Sequence, residues 1–255
     1  MPRPALKQLA TGLGLCALLL SVARAQGVCS SDGQPQPVRL LERFLSADCE
    51  RCWGTGTALV PSAAGTTLAL DWIVPGRLGD EAPLSAAASR DALARLQTLR
   101  RPSPRTQLAV NTPVASESGA TVRVAHGVAL GGYIGASIEA HRSASERQPA
   151  TAVLLLVETI AAGSDGTPIT RNLVRNMLQA PWNGASSLSN QEQMSLLERR
   201  PLSIPEGANP QRLRVVGWLQ DGRGRLLAAA QSGCQPEGDE PGGTPGNATP
   251  AIAPP

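Results

Sequence analysis

Two cysteines three residues apart, Cys49 and Cys52, are the side chains of this 255-residue chain whose type and spacing most directly suggest a reaction. In a Cys-x-x-Cys motif, the first thiolate attacks a disulfide and the second cysteine then resolves the mixed disulfide. The apolar stretch before Cys49 predicts a strand, and a helix beginning at the motif would stabilise the thiolate through its positive N-terminal end. We therefore predict that Cys49 and Cys52 are the catalytic pair of a thiol–disulfide oxidoreductase, with Cys49 as the nucleophile.

Two alternatives remain open for this pair. The motif also occurs in structural disulfides, and the segment from Trp53 to Thr57 after it consists mostly of poor helix formers, so the chain could be a non-enzymatic envelope or interaction protein. It could also be a metal carrier that uses the two thiolates. A zinc site needs further ligands, and His126 and His141 are the only histidines. Both are predicted on strands as ordinary sheet residues, so we assign no metal ligand and no cofactor.

The other cysteines predict a second, structural disulfide, with a free or resolving thiol at one of them as the alternative. Cys16 lies in the N-terminal apolar stretch, which leaves Cys29 and Cys234 as a pair near the two ends of the folded region. A bond between them would close a loop of roughly 200 residues and stabilise the fold by several kcal/mol, because it restricts the unfolded chain. Such a bond persists in an oxidising compartment.

Residues 1–25 have the three parts of a cleavable secretory signal. Arg3 and Lys7 supply the positive charge, Leu9 to Val22 form the apolar stretch, and Ala23-Arg24-Ala25 has the small-x-small form that a signal peptidase accepts. The apolar stretch is shorter than the roughly 20 residues of a membrane-spanning helix. We therefore predict an exported protein without a stable membrane span.

Removal of this signal would leave a mature chain without net charge. The whole chain has 23 Lys+Arg and 20 Asp+Glu, and the signal holds three of the basic residues and no acidic one, so 20 of each remain. A neutral chain lacks the basic face that nucleic acid requires, and the expected partners are other exported proteins with thiols or disulfides. Lys7 is the only lysine, and the abundance of Ala, Arg, Gly and Pro favours a bacterial protein, periplasmic or secreted. Oligomeric state is left open.

The first part of the mature chain, residues 26–112, predicts an α/β order of elements. Its best helix runs from Ala82 to Leu99, because apolar residues recur there at spacings of three and four, with Ser85 as a candidate N-cap. The strand candidates around it are 37–45, 67–74 and 107–110.

Residues 113–234 predict a separate β-rich domain, a sandwich or a barrel. Only Ile169 to Gln179 has a helical pattern there, and Asp221 to Gly224 has the composition of a hairpin turn. The strand candidates are 121–125, 132–140, 150–161, 213–220 and 226–231. From residue 235 to the end, Pro, Gly and small polar residues predict a disordered tail.

Several segments, in this order along the chain, resemble a family of secreted bacterial thioredoxin-like proteins of unknown function. The matching segments are Leu41 to Cys52, Asp71-Trp72, Asn172-Leu173-Val174-Arg175, Trp182-Asn183-Gly184 and Val215 to Gln231. The resemblance implies a thioredoxin-like domain around the Cys-x-x-Cys pair, followed by the β-rich domain, in an exported protein. Thr106 stands where that family has a proline beside the cysteines.

Overall fold

A computed structural model of the protein describes residues 29–55, 67–115, 119–143, 148–182 and 193–234. The predicted signal (1–25) and the predicted tail (235–255) lie outside the described residues, as does the Asn183-Gly184 part of one resembling segment. The α-helices are α1 (Glu50–Gly54) and α2 (Arg90–Thr98). The strands are β1 (Cys29–Ser30), β2 (Arg39–Ser46), β3 (Thr67–Val74), β4 (Gln107–Pro113), β5 (Thr121–Leu130), β6 (Tyr133–Ser143), β7 (Ala150–Ile160), β8 (Arg171–Trp182), β9 (Gln193–Ser203), β10 (Leu213–Asp221) and β11 (Leu226–Gln231).

The strands form two sheets, which makes the fold a β-sandwich. The small sheet has the order β1-β5-β6-β9, and the large sheet has the order β11-β10-β7-β8-β3-β2-β4. The predicted fold class, an α/β thioredoxin-like domain followed by a β-rich domain, is therefore wrong. The strand before the cysteines does pair in parallel with β3, but these strands continue into the same sheet as β7, β8, β10 and β11, and α1 has only five residues.

The large sheet is buried on both faces where β7 runs through it. Leu154 and Leu156 pack into a core shared with the small sheet, whereas Val153 and Leu155 point the other way, into a core that α2 completes. Successive residues of a strand alternate between faces, so a strand covered on both sides is apolar throughout. This explains the unbroken apolar run in β7.

The small sheet packs closely over Gly217 of β10. A Cβ atom there would lie 2.6 Å from Cγ1 of Val124 and 2.8 Å from Cδ1 of Ile138, both on the small sheet. These separations are too short for a real contact, so only glycine fits without movement of the opposing side chains. The contact between the two sheets at this point thus depends on glycine.

Helix α2 is fastened to the large sheet by a buried ion pair. Arg95 donates from Nε to Oε1 of Glu42 over 2.8 Å and from Nη2 to Oε2 over 2.7 Å, and it also donates to Gln220 over 2.9 Å. Its guanidinium lies 4.9 Å from the ring centre of Trp218. A bidentate ion pair of this kind fixes the orientation of α2 as well as its position.

The helix predicted from Ala82 to Leu99 is shorter in the structure, where α2 spans Arg90–Thr98. Its N-cap is Ser89, whose side-chain oxygen accepts a hydrogen bond from the backbone N–H of Ala92 over 3.2 Å. The proposed cap, Ser85, begins a short 3-10 turn instead. The apolar spacing was correct for nine residues only, Arg90–Thr98.

The helix predicted from Ile169 to Gln179 is wrong, because this segment belongs to strand β8. β8 pairs with β7 along its whole length, from Arg171 opposite Ile160 to Trp182 opposite Ala150. Its asparagine and β-branched residues are weak helix formers, and pairing within a sheet overrides a local pattern of apolar residues. By contrast, the predicted turn at Asp221 is confirmed between β10 and β11.

Candidate functional site

Cys49 and Cys52 lie where β2 leaves the large sheet and turns into α1. The backbone N–H of Cys49 donates to the carbonyl of Ser46, the last residue of β2, and that of Cys52 donates to the carbonyl of Cys49, each over 3.0 Å. The next residue after Ser46, Ala47, still donates to Val74 of β3 over 2.8 Å. The predicted order of strand, Cys-x-x-Cys turn and helix is present, although the helix ends at Gly54.

The two cysteines form a disulfide with a sulfur–sulfur distance of 2.00 Å. The two residues differ in exposure, because Cys49 is partly exposed whereas Cys52 is only 8% exposed. Both pack against the same apolar core cluster, Cys52 as a buried member and Cys49 as a partly buried neighbour.

Asp48, directly before the motif, is bonded to the backbone of a neighbouring loop. Its carboxylate accepts hydrogen bonds from the N–H groups of Arg77 over 2.8 Å and Leu78 over 3.2 Å. A Cβ atom on Gly76 would collide with this carboxylate, so the contact depends on glycine there. These bonds occupy both oxygens of Asp48 and fix the turn that carries Cys49.

A buried charged cluster lies beneath the motif, centred on Asp71 of β3. The carboxylate of Asp71 accepts from Arg43 over 2.6 Å, from Arg171 over 2.9 Å and from the backbone N–H of Asn172 over 3.0 Å. Asp71 is fully buried, and the two arginine side chains are 10% and 3% exposed. Two guanidinium groups and one carboxylate leave the cluster with one net positive charge.

Arg171 connects this cluster to the disulfide segment. Its Nη2 donates to the carbonyl oxygens of Cys52 over 3.1 Å, Trp53 over 2.9 Å and Thr55 over 3.4 Å. The last carbonyls of a helix have no partner within the helix, so Arg171 caps α1 at its C-terminal end. The positive charge thereby lies against the main chain of Cys52.

Trp53 completes the attachment of α1. Its indole Nε1 donates to the carbonyl of Asp165, in the loop between β7 and β8, over 2.7 Å. The guanidinium of Arg171 lies 5.1 Å from the centre of the Trp53 ring. The side chain of Trp53 is thus held by the loop that leads into β8 and by Arg171, the first residue of that strand.

A cavity of about 450 Å³ opens beside Trp53. Its apolar wall includes Ile73, Leu84, Ile160 and Leu173. Three of these residues, together with Leu84 packed against them, form one core cluster with Cys52 and Trp53. The cavity therefore adjoins the core cluster that contains Cys52, although neither cysteine lines it.

The rim of this cavity carries two ion pairs. Glu158 accepts from Arg175 over 2.6 Å, and Asp165 accepts from Arg212 over 2.6 Å. The first pair is buried, whereas the second is largely exposed. A partner that lies in the cavity can therefore exchange hydrogen bonds with the exposed pair.

The other two cysteines are joined elsewhere in the molecule. Cys29 of β1 and Cys234, three residues after β11, form a disulfide with a sulfur–sulfur distance of 2.06 Å. Both expected disulfides are thus present, one at the edge of the small sheet and one at the end of β2. His126 lies opposite Cys29 on β5, and His141 lies on β6, where it contacts Glu139 over 3.0 Å.

Arg171 is the residue of this site that sequence reasoning missed. It stands at the start of the segment predicted as a helix, and nothing in its neighbours marks it as buried. Asp71, by contrast, has a signal in the sequence, since it is the one charged residue in the apolar strand TLALDWIV. A charge on such a strand is expected to be buried, and a buried charge requires a partner. Looking for the partner of Asp71 would have been the available route to Arg43 and Arg171.

Comparison with models of known protein families finds no match, and comparison with curated proteins finds none either. Among solved structures, the chain is similar to HBP35 of Porphyromonas gingivalis, with 12% sequence identity and a TM-score of 0.44, over 86% of this chain and 81% of that chain. A similarity this low establishes neither a shared fold nor a shared function. The resemblance to the secreted bacterial family stays a prediction.

Within the part of the chain that the structure describes, no helix has the length and apolar character needed to cross a membrane.

Proposed function

We propose that the protein exchanges disulfides with other exported proteins through Cys49 and Cys52. The observation that supports this most is the unequal exposure of the two bonded cysteines, with Cys49 partly exposed and Cys52 buried. An exchange protein needs one sulfur that a partner can reach and one that is protected until the first has reacted.

In the oxidising direction, a partner thiolate attacks Sγ of Cys49. A partner–Cys49 disulfide forms, the Cys49–Cys52 bond breaks, and the electron pair stays on Sγ of Cys52, which takes up a proton. A second thiolate of the partner then attacks the partner sulfur of the mixed disulfide and releases Cys49 as a thiolate. The partner loses two electrons and two protons and gains a disulfide, while the protein gains two thiols.

The charge cluster favours the reduced form of the pair. Arg43, Asp71 and Arg171 together carry one net positive charge, and Arg171 is bonded to the carbonyl of Cys52. A buried positive charge stabilises a nearby thiolate more than it stabilises a disulfide. The arrangement therefore makes the Cys49–Cys52 bond easier to reduce than a disulfide without such a charge.

The cavity beside Trp53 gives the partner a place to bind during the exchange. Its apolar wall suits an aliphatic or aromatic side chain next to the reacting cysteine of an unfolded or loosely folded partner. The exposed Asp165–Arg212 pair offers hydrogen bonds to a peptide backbone. We expect a preference for peptides over small thiols.

The test uses two variants that remove the same bond but leave different cysteines. Cys52→Ser keeps the exposed Cys49, and Cys49→Ser keeps the buried Cys52. Each is incubated with a peptide disulfide, and the covalent adduct is measured by mass spectrometry. We expect Cys52→Ser to trap the peptide at least about tenfold faster than Cys49→Ser, given that access limits exchange. Equal trapping by both variants, or none by either, would rule the proposal out.

A second candidate, a protein in which this disulfide only holds α1, has its own support. Arg171 and Trp53 already fasten the C-terminal half of α1, as expected of a structural element. If the bond is architectural, the Cys49→Ser/Cys52→Ser double variant should lose about 2 kcal/mol of unfolding free energy, the value for so short a loop, and Cys52→Ser should trap no peptide. A thiolate metal carrier would instead bind zinc or copper(I) tightly after reduction at these two cysteines.

Export is part of the same proposal, because the exchange needs an oxidising compartment. Sequencing the N-terminus of the protein recovered from the envelope or medium of a bacterial host tests it. We expect the chain to begin at Gln26, the residue after Ala23-Arg24-Ala25. Recovery of the uncut chain from the cytoplasm alone would contradict export.

A further inference from the structure

The second disulfide lies against a buried histidine. Cys29 of β1 is directly opposite His126 of β5 in the antiparallel pair. One possible ligand atom from each of Cys29, Cys234 and His126 can be chosen so that all three lie within 4.8 Å of one another. His126 is only 5% exposed. Two sulfur atoms and an imidazole nitrogen thus share one small space.

The hydrogen bonding of His126 leaves one ring nitrogen free. Nδ1 lies 2.9 Å from the carbonyl oxygen of Gly127. A carbonyl only accepts hydrogen bonds, so Nδ1 carries the proton and Nε2 carries a lone pair. Nε2 is buried and has no hydrogen-bond partner among the described residues. A proton on one nitrogen bonded to a backbone carbonyl, with the other nitrogen unpartnered, is the state in which histidines bind metal ions.

Backbone hydrogen bonds also hold the segments that carry the two cysteines. Beside Cys29 and Cys234, the backbones of Ser30 and Gly233 exchange two hydrogen bonds of 3.1 and 2.9 Å. Ser31 also donates to the carbonyl of Val124 over 2.9 Å. Reduction would therefore leave the two thiols next to each other and next to the imidazole. Cys234 is exposed, which gives a reductant and an ion access to the site.

We propose that, after reduction of the Cys29–Cys234 bond, Cys29, Cys234 and Nε2 of His126 bind a zinc ion. An external dithiol supplies the two electrons: it becomes a disulfide, and the protein disulfide becomes two thiols. Zinc then displaces the two thiol protons to form two zinc–thiolate bonds, and the imidazole donates its lone pair. Two thiolates and one imidazole are a ligand set that zinc takes, with water as the fourth ligand. The two cysteines are thus joined by a disulfide when oxidised and coordinate zinc when reduced.

The experiment uses the Cys49→Ser/Cys52→Ser protein, so that only the Cys29–Cys234 pair can be reduced and the outcome does not depend on the proposed exchange activity. The protein is reduced with a phosphine, which is then removed without air, and titrated with Co²⁺ as a coloured substitute for Zn²⁺. We expect one equivalent to bind with thiolate-to-cobalt charge-transfer and tetrahedral d–d absorption, which zinc abolishes. The oxidised protein should show none of it.

Two further variants test whether cobalt binding depends on His126 or only on reduction of the disulfide. His126→Gln should weaken cobalt binding by about tenfold or more, as expected for loss of a ligand, while His141→Gln, the other histidine, should leave it unchanged. Equal binding by the His126→Gln protein, or absence of the charge-transfer band, would overturn the proposal.

A measurement without any His126 variant covers the case in which His126→Gln does not fold. Zinc that binds only the reduced form must shift the dithiol–disulfide equilibrium. At zinc concentrations about 100 times the dissociation constant, the ratio of reduced to oxidised Cys29–Cys234 protein should rise roughly 100-fold in a dithiol redox buffer. A ratio that does not change with zinc refutes the site.

Discussion

Nη2 of Arg171 lies 3.1 Å from the carbonyl oxygen of Cys52 and donates a hydrogen bond to it. Through its other terminal nitrogen, Arg171 reaches Asp71 over 2.9 Å. One side chain from β8 therefore couples a buried charge cluster on β3 to the main chain of the redox-active pair that we propose. Replacement of Arg171 should therefore change the reduction potential of the Cys49–Cys52 disulfide, although Arg171 is far from both cysteines in sequence.

Replacement of Arg171 by Gln should make the Cys49–Cys52 disulfide harder to reduce. The cluster would lose its net positive charge, and a thiolate at the reduced pair would lose that stabilisation. A tenfold change in the equilibrium constant corresponds to about 30 mV for two electrons, and we expect a reduction potential more negative by about this amount. Equilibration with a dithiol redox buffer measures it.

The matched control for this prediction is Arg175→Gln. Arg175 lies on the same strand and forms a buried pair with Glu158 over 2.6 Å, but none of its described interactions is with α1. Its replacement should destabilise the protein and leave the potential of Cys49–Cys52 unchanged. A shift of the reduction potential by the same amount in both variants would mean that the effect comes from general destabilisation of the fold.

Replacement of Glu42 by Ala should lower the free energy of unfolding by about 3–5 kcal/mol, as measured by urea denaturation, because Arg95 would stay buried without its carboxylate. Glu42 is 0% exposed and Arg95 only 2% exposed. The comparison is Asp32→Ala, which removes the exposed pair with Arg123 and should have little effect, since exposed pairs are hydrated and screened. Equal losses of unfolding free energy in the two variants would show that burial does not determine how much an ion pair contributes to stability.

Replacement of Gly217 by Ala should cost about 1–3 kcal/mol of unfolding free energy, the usual range for an overpacked core. The new methyl group would force Val124 and Ile138 of the small sheet to move. Gly222→Ala is the matched control, because a Cβ atom there meets only the carbonyl of Pro149 at 3.8 Å, an ordinary contact. Thermal or urea unfolding distinguishes the two, and equal stability would contradict the close approach of the sheets.

The stability of the oxidised protein should depend on pH through His126. Burial lowers the pKa of His126 below its ordinary value of 6.5, and the hydrogen bond to Gly127 offsets part of this effect. The unfolded chain therefore binds a proton at a higher pH than the folded protein does, and the free energy of unfolding falls as the pH decreases below about 6.5. Urea denaturation at about pH 8 and about pH 5.5, with a chelator present, measures this fall.

The comparison with variants isolates the contribution of His126, because acidic groups also titrate as the pH decreases. His126→Gln should lose less stability between the two pH values than the unchanged protein, whereas His141→Gln should lose as much. An unchanged pH dependence in His126→Gln would mean that the imidazole is hydrated in the folded state.

Local patterns predicted the parts of the fold that depend on neighbours in sequence. The strand at 67–74 matches β3 residue for residue, and Asp221 accepts from the N–H groups of Arg223 and Arg225 in the predicted turn. Strand order was not predictable in this way. β3 and β8 meet through a single parallel register pair, Asp71 opposite Leu173, and that joint depends on side chains far apart in sequence.

The candidate site was predictable to the same extent. The Cys-x-x-Cys spacing indicated that Cys49 and Cys52 pair with each other, and the even number of remaining cysteines indicated the Cys29–Cys234 bond. The spacing carried no information about Arg171, because a charge becomes part of a site only when the fold buries it beside a partner. For the same reason His126 looked ordinary until the register of β1 and β5 placed it opposite Cys29.

The bond between Cys29 and Cys234 spans 205 positions of the chain and so turns almost the whole described protein into a covalent ring. One cut by a protease anywhere inside a ring opens it without releasing a fragment. On a gel, such a nicked molecule would migrate as one species until a reductant separates its two pieces. A single cleavage would thus leave both sheets of the sandwich on one molecule.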